Sequence, residues 1–413
     1  MDKIKLLDDK TINKIAAGEV VERPVAVVKE LVENSIDAMA TNISIEIKKG
    51  GTKYIRVTDN GIGMNENDLK NAFIRHSTSK ISKVEDLGNI ITLGFRGEAL
   101  ASISSVSRIE IVSKERKANT GKKIILYGGE IRDEATVGTK DGTTIIVRDL
   151  FFNTPVRRGF LKSESAESMA INEFIYRLAI SNPGISFNYI KDGKIIIKTP
   201  GNGDLKSTIY SVLGSEFIKS TYYFEDKYKE MIIKGYTSNL KYFRGNRSNQ
   251  YIFINGRVVK SQIISKAIED IYKERIPIGK FPSFALFLEI DPNNIDVNIH
   301  PTKMEVRFRE ERDLLYGIKK VISERLIKEN LIPELRAKDI MSNSISDREK
   351  KKVNEKRTQI PVFELIDNEE KKRDKSEDKN DIKLIDEKVV YRKGKEESDY
   401  IFGNTIRENK IEK

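Results

Sequence analysis

The sequence predicts an α+β protein with two folded domains and a charged tail, and three observations predict it. Short alternating runs of the strand kind come in groups with helical patterns between them, which favours α+β sandwiches. The turn cluster Pro200-Gly201-Asn202-Gly203-Asp204 separates two such mixtures. From about Arg336 onward charges of both signs dominate and apolar residues come mostly as isolated pairs. Such a composition cannot bury enough surface to offset its ordering entropy. The expected organisation is therefore a domain over 1–203, a second over 204–335 and a disordered tail or linker over 336–413.

In chain order, residues 10–40 read as two helices separated at Arg23-Pro24, with Pro24 suited to a first helical turn. Ile43 to Ile47 and Tyr54 to Val57 alternate as strands, joined by a hairpin across Gly50-Gly51. Further strands are expected at Ile109–Val112, Lys123–Leu126 and Thr143–Val147, followed by a helix at about 163–180. Phe187–Ile190 and Ile195–Ile197 flank an Asp192-Gly193 turn. In the second half Met231–Ile233 is a strand, and Tyr251–Ile254 enters Asn255-Gly256, a strong hairpin signal. A helix at about 261–274 follows, then strands at Phe284–Ile290, Val297–Ile299 and Glu305–Phe308. A last helix covers about 311–328. Nothing repeats at a fixed period.

The 413 residues carry a formal net charge of +11, and most of the excess lies before the tail. A basic surface suits a polyanionic partner, most often nucleic acid, and is equally read as a solubility trait of a lysine-rich chain. There are no cysteines, which excludes disulfides and thiolate metal sites. No apolar run has signal-peptide or membrane-spanning length, so the expected location is the cytoplasm, without a membrane partner.

The chemistry starts on the second helix. Val28, Leu31, Val32 and Ile36 gather on one side, and Glu30, Glu33, Asn34 and Asp37 on the other. Glu30 and Asn34, four apart, project from successive turns. A carboxylate there can orient and deprotonate a water, while a carboxamide oxygen can ligand Mg²⁺, a hard cation that prefers oxygen. Alone, the same face reads as ordinary solvated charge. Asp59-Asn60-Gly61-Ile62-Gly63 then ends a strand, where a carboxylate can accept from a base amino group and glycines admit a flat ring; by itself it is also a good β-turn. His76-Ser77-Thr78-Ser79-Lys80 offers hydroxyls and an ammonium for phosphates. Gly94-Phe95-Arg96-Gly97-Glu98-Ala99-Leu100 is a glycine-hinged loop entering a helix, suited to phosphate and to closing as a lid. Asp141-Gly142-Thr143-Thr144 places a hydroxyl where it could support Asp59 through water. Each piece is weak alone, and their order makes a split Mg-nucleotide site.

With these residues in view, the sequence resembles the MutL family of DNA mismatch-repair proteins, within the GHKL ATPase superfamily that also holds gyrase B, Hsp90 and histidine kinases. The resemblance runs from about residue 4 to about 330. It rests on Ile15-Ala16-Ala17-Gly18-Glu19-Val20-Val21-Glu22-Arg23-Pro24, on Glu30 through Ala38, on Gly94 through Ile103 and on Asn153-Thr154-Pro155-Val156-Arg157-Arg158. A further match is Asp296 through Phe308, containing His300-Pro301-Thr302-Lys303. It implies a Bergerat-type ATPase sandwich, then a domain like ribosomal protein S5 domain 2 with a left-handed βαβ crossover. It implies Glu30 as general base, Asn34 as the Mg²⁺ ligand, and Asp59 on the adenine amino group, with Asp37, Ala38, Gly61, Gly63 and Thr143 around the nucleotide. Thr78, Ser79 and Lys80 would meet phosphates, Gly94, Phe95, Arg96, Gly97, Glu98, Ala99 and Leu100 would form the lid, and Lys303 would reach the γ-phosphate from the second domain. His76 and His300 lack partners at metal spacing and read as packing or hydrogen-bonding residues.

The implied function is an ATP-binding and ATP-hydrolysing clamp, with ATP and Mg²⁺ as cofactors. It would dimerise through its N-terminal region on ATP binding, bind single- or double-stranded DNA without sequence preference, and couple the mismatch-recognition protein MutS to downstream enzymes. A sliding clamp and a helicase are further expected partners, in a bacterial cytoplasm near the nucleoid. Arg157, Arg158, Arg244, Arg247, Arg257 and Lys260 are the candidate DNA contacts. The family's Asp-Gln-His-Ala-type endonuclease motif does not occur in this chain, so the sequence is expected to be an N-terminal part or a shortened form, and no nicking activity is expected of it. Gln359-Ile360-Pro361-Val362-Phe363 reads as a chance apolar cluster in preference to a docking motif. Two other classes remain: another GHKL member, such as a topoisomerase ATPase subunit or a chaperone, and a DNA-binding scaffold without catalysis. The mismatch-repair signatures weigh against the first, and intact Glu30, Asn34 and Lys303 against the second.

Overall fold

The computed structural model describes residues 21–74, 77, 98–296 and 307–328, all within one unit, Met1–Asp339. Helix α1 covers Pro24–Asp37 with proline in its first turn and an extended Arg23 (φ −147°, ψ 159°) before it, the geometry a residue preceding proline prefers. Strands β1 (Asn42–Lys48) and β2 (Tyr54–Asp59) form the expected antiparallel hairpin. Short α2 (Glu66–Asn71) and α3 (Ala99–Ser105) follow. Next come β3 (Arg108–Lys114), β4 (Gly121–Tyr127), β5 (Glu130–Val137) and β6 (Gly142–Arg148), then α4 (Pro155–Gly159) and α5 (Glu164–Ser181), then β7 (Ser186–Lys191) and β8 (Lys194–Lys198). The eight strands order as β5-β4-β3-β6-β2-β1-β7-β8. Only β1 and β7 run parallel among these neighbours.

Period-2 alternation decides which face of this sheet is covered. Ile43, Ile45 and Ile47 of β1, Ile55 and Val57 of β2, and Ile109 and Ile111 of β3 are essentially inaccessible and share one core with Val28, Leu31 and Val32 of α1 and Ile171 and Ile175 of α5. Each such side chain contributes about 1.5–3 kcal/mol relative to exposure. Ser44, Glu46, Arg56 and Thr58 take the opposite face, where Arg56 pairs with Glu46 at 2.8 Å. The buried arc of α1 differs from the expected stripe in two places. Glu33 is buried, with Lys29 3.9 Å away one turn back, and Ile36 is only half-buried. The helix packs on both β2 and α5, so more than one side is covered.

The second half carries α6 (Leu205–Lys219), β9 (Thr221–Tyr228), β10 (Met231–Ser238), the two-residue β11 (Phe243–Arg244), β12 (Gln250–Ile254) and β13 (Arg257–Val259). After α7 (Gln262–Tyr272) come β14 (Phe281–Pro282), β15 (Phe284–Glu289), β16 (Ile295–Asp296) and β17 (Arg307–Phe308), and α8 over 311–328. The main sheet orders β13-β12-β15-β10-β9, and β12 and β15 are parallel neighbours joined through α7. Asn255 (φ 49°) and Gly256 (φ 77°) make the turn between β12 and β13, the doubly left-handed geometry for which Asn-Gly is suited. One face of this sheet, with Ile233, Ile252, Leu286 and Leu288, packs on Ile264 and Ile268 of α7 and Leu314, Ile318 and Ile322 of α8. The other, with Tyr236, Tyr251, Phe253 and Ala285, continues the first core through Ile209 and Phe217 of α6.

Several elements depart from the expected list, among them β5, α6 and β9, beside the short α2, α4, β11 and β14. β5 is an edge strand exposed along most of its length, so no buried face imposed alternation on its sequence. α6 is interrupted by Gly214 (φ 85°), and β9 is a charged and tyrosine-rich edge. The expected first helix over 10–22 and the strand at Val297–Ile299 lie outside the described residues.

Candidate functional site

The polar side chains converge where β2 ends and β6 begins. Asp59, the last residue of β2, keeps the inward parity of Ile55 and Val57, so its carboxylate turns toward α1. There the Ser35 hydroxyl donates to Asp59 Oδ2 at 2.9 Å, while Oδ1 accepts the Gly61 N–H at 2.9 Å and the Thr143 N–H at 3.3 Å. Burial pushes the Asp59 carboxyl above its ordinary pKa; the hydrogen bonds from Gly61, Ser35 and Thr143 oppose that push without cancelling it. A half-desolvated carboxylate fixed by three donors, with lone pairs left over, can accept from an exocyclic amine.

Two glycines make this convergence possible. A Cβ on Gly63 (φ +71°) would stand 2.0 Å from Lys114 O, and one on Gly142 (φ +106°) 2.1 Å from Asp59 O. The backbones at the ends of β2, β3 and β6 thus touch at these points. Any side chain at these two positions would collide with backbone. Asn60 fastens the turn: its Oδ1 accepts the N–H groups of Thr41 (2.9 Å) and Asn42 (2.8 Å), and its Nδ2 donates to Thr41 Oγ1 at 2.8 Å.

Helix α1 brings Glu30 and Asn34 to the same end of the sheet, since Ser35, next to Asn34, already touches Asp59. Both are half-buried. Among the described residues no hydrogen bond or ion pair engages the Glu30 carboxylate. The entry to α1 is pinned by Arg23, whose Nε lies 3.3 and 3.2 Å from the two carboxylate oxygens of Glu167 on α5, and whose NH2 lies 3.1 Å from Oε2. Glu167 has no solvent exposure and also accepts the Lys162 N–H at 3.1 Å. Asp37 and Ala38 close the helix, and Ala38 O accepts the Ile62 N–H at 3.0 Å, which ties the glycine turn to the helix end.

Thr143 is nearly buried and its hydroxyl lies 2.8 Å from that of Ser113 on β3. Ser113 Oγ accepts the Met64 N–H at 2.9 Å. Ser35, Asn60 and Ser113 were not singled out from the sequence as site residues. Ser113 had a readable signal, because it continues the inward positions Ile109 and Ile111 with a polar residue. Of the lid residues, Glu98 precedes α3 while Ala99 and Leu100 open it, and Leu100 packs on the core. Gly94, Phe95, Arg96 and Gly97 lie outside the described residues, as do His76, Thr78, Ser79, Lys80, His300 and Lys303.

A cleft of about 370 Å³ opens at the same end of the sheet, bordered by Ser44, Thr58, Thr144 and Asn188. Those four follow the open-face parity, and Asp59, Gly142 and Thr143 border the same cleft. Three of the candidate nucleic-acid contacts have acidic neighbours. Arg247 is held by Glu269 at 2.7 and 3.0 Å and stacks over Phe281. Arg244 lies over Tyr242 and 3.7 Å from Glu216, and Lys260 lies 3.5 Å from Glu173. Arg158 is exposed, while Arg157 and Arg257 are half-buried.

This geometry belongs to a recognisable group. Residues 22–137 match the family model for histidine kinase-, DNA gyrase B- and HSP90-like ATPases, and residues 209–327 match that for the C-terminal domain of DNA mismatch repair proteins. The DNA mismatch repair protein MutL of Caldanaerobacter subterraneus subsp. tengcongensis is 45% identical over 366 residues, which make up 88% of this chain and 61% of that relative. The chain thus spans less than two thirds of that relative's length. Among solved structures, the N-terminal domain of a DNA repair protein is 28% identical with a TM-score of 0.66, covering 78% of this chain and 99% of that one. The Aquifex aeolicus MutL ATPase domain complexed with ADP is 30% identical with a TM-score of 0.52, covering 72% and 98%. With mismatch-repair and ATPase models matching in tandem and a MutL ATPase domain matched over nearly its whole length, the chain belongs to the MutL family of DNA mismatch repair proteins.

Proposed function

We propose that this chain binds ATP with Mg²⁺ at the Asp59 end of the first sheet, hydrolyses it, and uses the cycle to open and close a clamp in DNA mismatch repair. The observation that carries the reading is the Asp59 carboxylate, half-buried and held by Ser35, Gly61 and Thr143 beside a helix that presents Glu30 and Asn34 one turn apart. A base amino group would complete Asp59's remaining acceptor capacity. Asn34, a half-buried carboxamide on the turn after Glu30, would hold Mg²⁺ through its oxygen, and the cation would supply positive charge to neutralise the phosphates. Glu30, with no competing partner among the described residues, orients the attacking water and takes its proton.

The remaining parts follow the family. Thr78, Ser79, Lys80 and Gly94 through Leu100 contact the phosphates, and Lys303 reaches the γ-phosphate from the domain over 204–335. Those contacts exist only with the γ-phosphate present, so they supply the differential affinity that favours a closed, N-terminally paired dimer. The ATPase domain is 1–203 and the tail 336–413. DNA, MutS, a sliding clamp and a helicase are the proposed partners in a bacterial cytoplasm, and Arg157, Arg158, Arg244, Arg247, Arg257 and Lys260 are proposed DNA contacts. The test is phosphate release by the purified chain with Mg-ATP, at several protein concentrations and with or without single-stranded DNA. The expected result is a rate that rises with the square of protein concentration. Strictly first-order turnover would count against the dimer clamp, and no turnover against the ATPase itself.

A further inference from the structure

We propose that the open face of the first sheet binds single-stranded nucleic acid along one cross-strand row, Lys48, Tyr54, Arg148, Arg108 and Tyr127, with Phe152 beside it. The inference deepens the reading above that DNA is a partner, and rests on it. Strand register brings the row together. Lys48 of β1 faces Tyr54 of β2, Tyr54 faces Arg148 of β6, Arg148 faces Arg108 of β3, and Arg108 faces Tyr127 of β4. Directly opposed residues share a face, and this is the face of Glu46 and Arg56, away from α1 and α5. Five adjacent strands span about 19 Å at the usual strand spacing.

Cations and rings meet along this row. The Lys48 ammonium and the Arg148 guanidinium lie 5.2 and 5.0 Å from the centre of the Tyr54 ring. The Arg108 guanidinium lies 5.4 Å from the centre of the Tyr127 ring and 5.2 Å from that of Phe152. Such contacts are weakly attractive at exposed sites, and they hold long side chains in place, so less freedom is lost when a phosphate binds. Positive charge is in surplus. Arg148 is exposed, and among the described residues no carboxylate lies within ion-pair reach of it. Glu46 is shared by Lys48 at 3.8 Å and Arg56 at 2.8 Å, and Asp149 by Lys53 and by Arg108 at 3.3 Å. Lys53 foremost, with Arg108 and Arg158 behind it, holds the Asp149 carboxyl below its ordinary range. The row therefore runs toward Arg158, already a proposed DNA contact. Tyr127 and Phe152 keep 46% and 37% of their surface exposed. A basic track with exposed rings suits unpaired bases, which stack on aromatic and guanidinium planes. Duplex bases are already stacked on one another, and an acidic peptide offers charge without flat rings.

The test is equilibrium binding of a fluorescent oligothymidylate, about 16 nucleotides long, to the full chain, followed by anisotropy over a salt series. Arg148→Ala should weaken binding several-fold at low salt and lower the salt slope by about 0.7, the share of one phosphate on a single strand. Arg148→Lys should keep the slope. Tyr127→Leu should weaken binding about tenfold, the scale of one base stacked on a ring, with the slope unchanged, whereas Tyr127→Phe should bind like the wild type. On an abasic strand of equal length Tyr127→Leu should match the wild type, because no base remains to stack. Unchanged urea midpoints check that the variants are folded. Wild-type binding that neither Arg148→Ala nor Tyr127→Leu alters puts the strand elsewhere and overturns the proposal, while the DNA reading stands. No binding by the wild type at low salt removes both. Tyr127→Leu weakening the abasic strand as much as oligothymidylate, or polyglutamate of equal charge competing as well as unlabelled oligothymidylate, makes the row a general acid-binding patch and also overturns it.

Discussion

Replacing Arg23 by alanine isolates the ion pair that sets the start of α1. Arg23 Nε and NH2 hold a Glu167 carboxylate with no solvent exposure, whose other partner is the Lys162 N–H at 3.1 Å. Removing one member of a buried pair typically costs about 3–5 kcal/mol, because the surviving charge is left uncompensated. Arg23 itself keeps 33% side-chain exposure, so water can enter the space and the cost belongs at the low end, about 3 kcal/mol. Urea unfolding at pH 7, followed by circular dichroism, reads that loss as a lowered midpoint at unchanged slope. Glu167→Gln on the Arg23→Ala background removes the stranded charge and should recover about 1–2 kcal/mol. Turnover should fall, since α1 carries the proposed general base Glu30. An Arg23→Ala protein within about 0.5 kcal/mol of wild type would refute the claim that this pair anchors the helix.

Three further outcomes are expected. Burial raises the Asp59 pKa in the folded protein, so its contribution to stability is present below the unfolded carboxylate value of about 3.9 and is lost as pH rises through the folded value. Asp59→Asn should therefore be at least as stable as wild type at pH 7, with an advantage that shrinks toward pH 3 in melts without nucleotide. Gly142→Ala places a Cβ 2.1 Å from Asp59 O at φ +106° and should destabilise by more than about 2 kcal/mol in the same unfolding assay. Tyr272→Phe deletes a buried hydroxyl that donates to Ser238 O at 2.5 Å and lies 2.6 Å from Thr237 Oγ1. That should cost about 1–3 kcal/mol without changing ATP turnover.

Much of this was legible in the residues themselves, and what was not has physical causes. Alternation located β1, β2, β3 and β6 because each has one buried face, and Asn255-Gly256 located a hairpin because only certain residues accept two positive φ angles. β5 and β9 are edge strands, where polar and charged residues are tolerated on both sides and periodicity disappears. α6 was hidden by Gly214, whose φ of 85° breaks the helical pattern from within. At the site, Asp59 and Thr143 could be named because a carboxylate or hydroxyl at a strand end is chemically conspicuous. Ser35 and Ser113 could not, because a serine is common everywhere and its role here depends on register between strands far apart in sequence. Reading Glu33 as solvated failed for a related reason: the sequence shows one apolar stripe, whereas α1 packs on two neighbours.

The central claim is one site in which Asp59 binds the base and Glu30 works only on the attacking water. Equilibrium ATP binding and phosphate release, measured side by side on Glu30→Ala and Asp59→Asn, test it most directly. The account predicts that Glu30→Ala binds Mg-ATP like the wild type while turning over at least about 100-fold more slowly, the scale of a lost general base, and that Asp59→Asn binds at least about tenfold more weakly. Undiminished turnover by Glu30→Ala, or wild-type binding by Asp59→Asn, would contradict it.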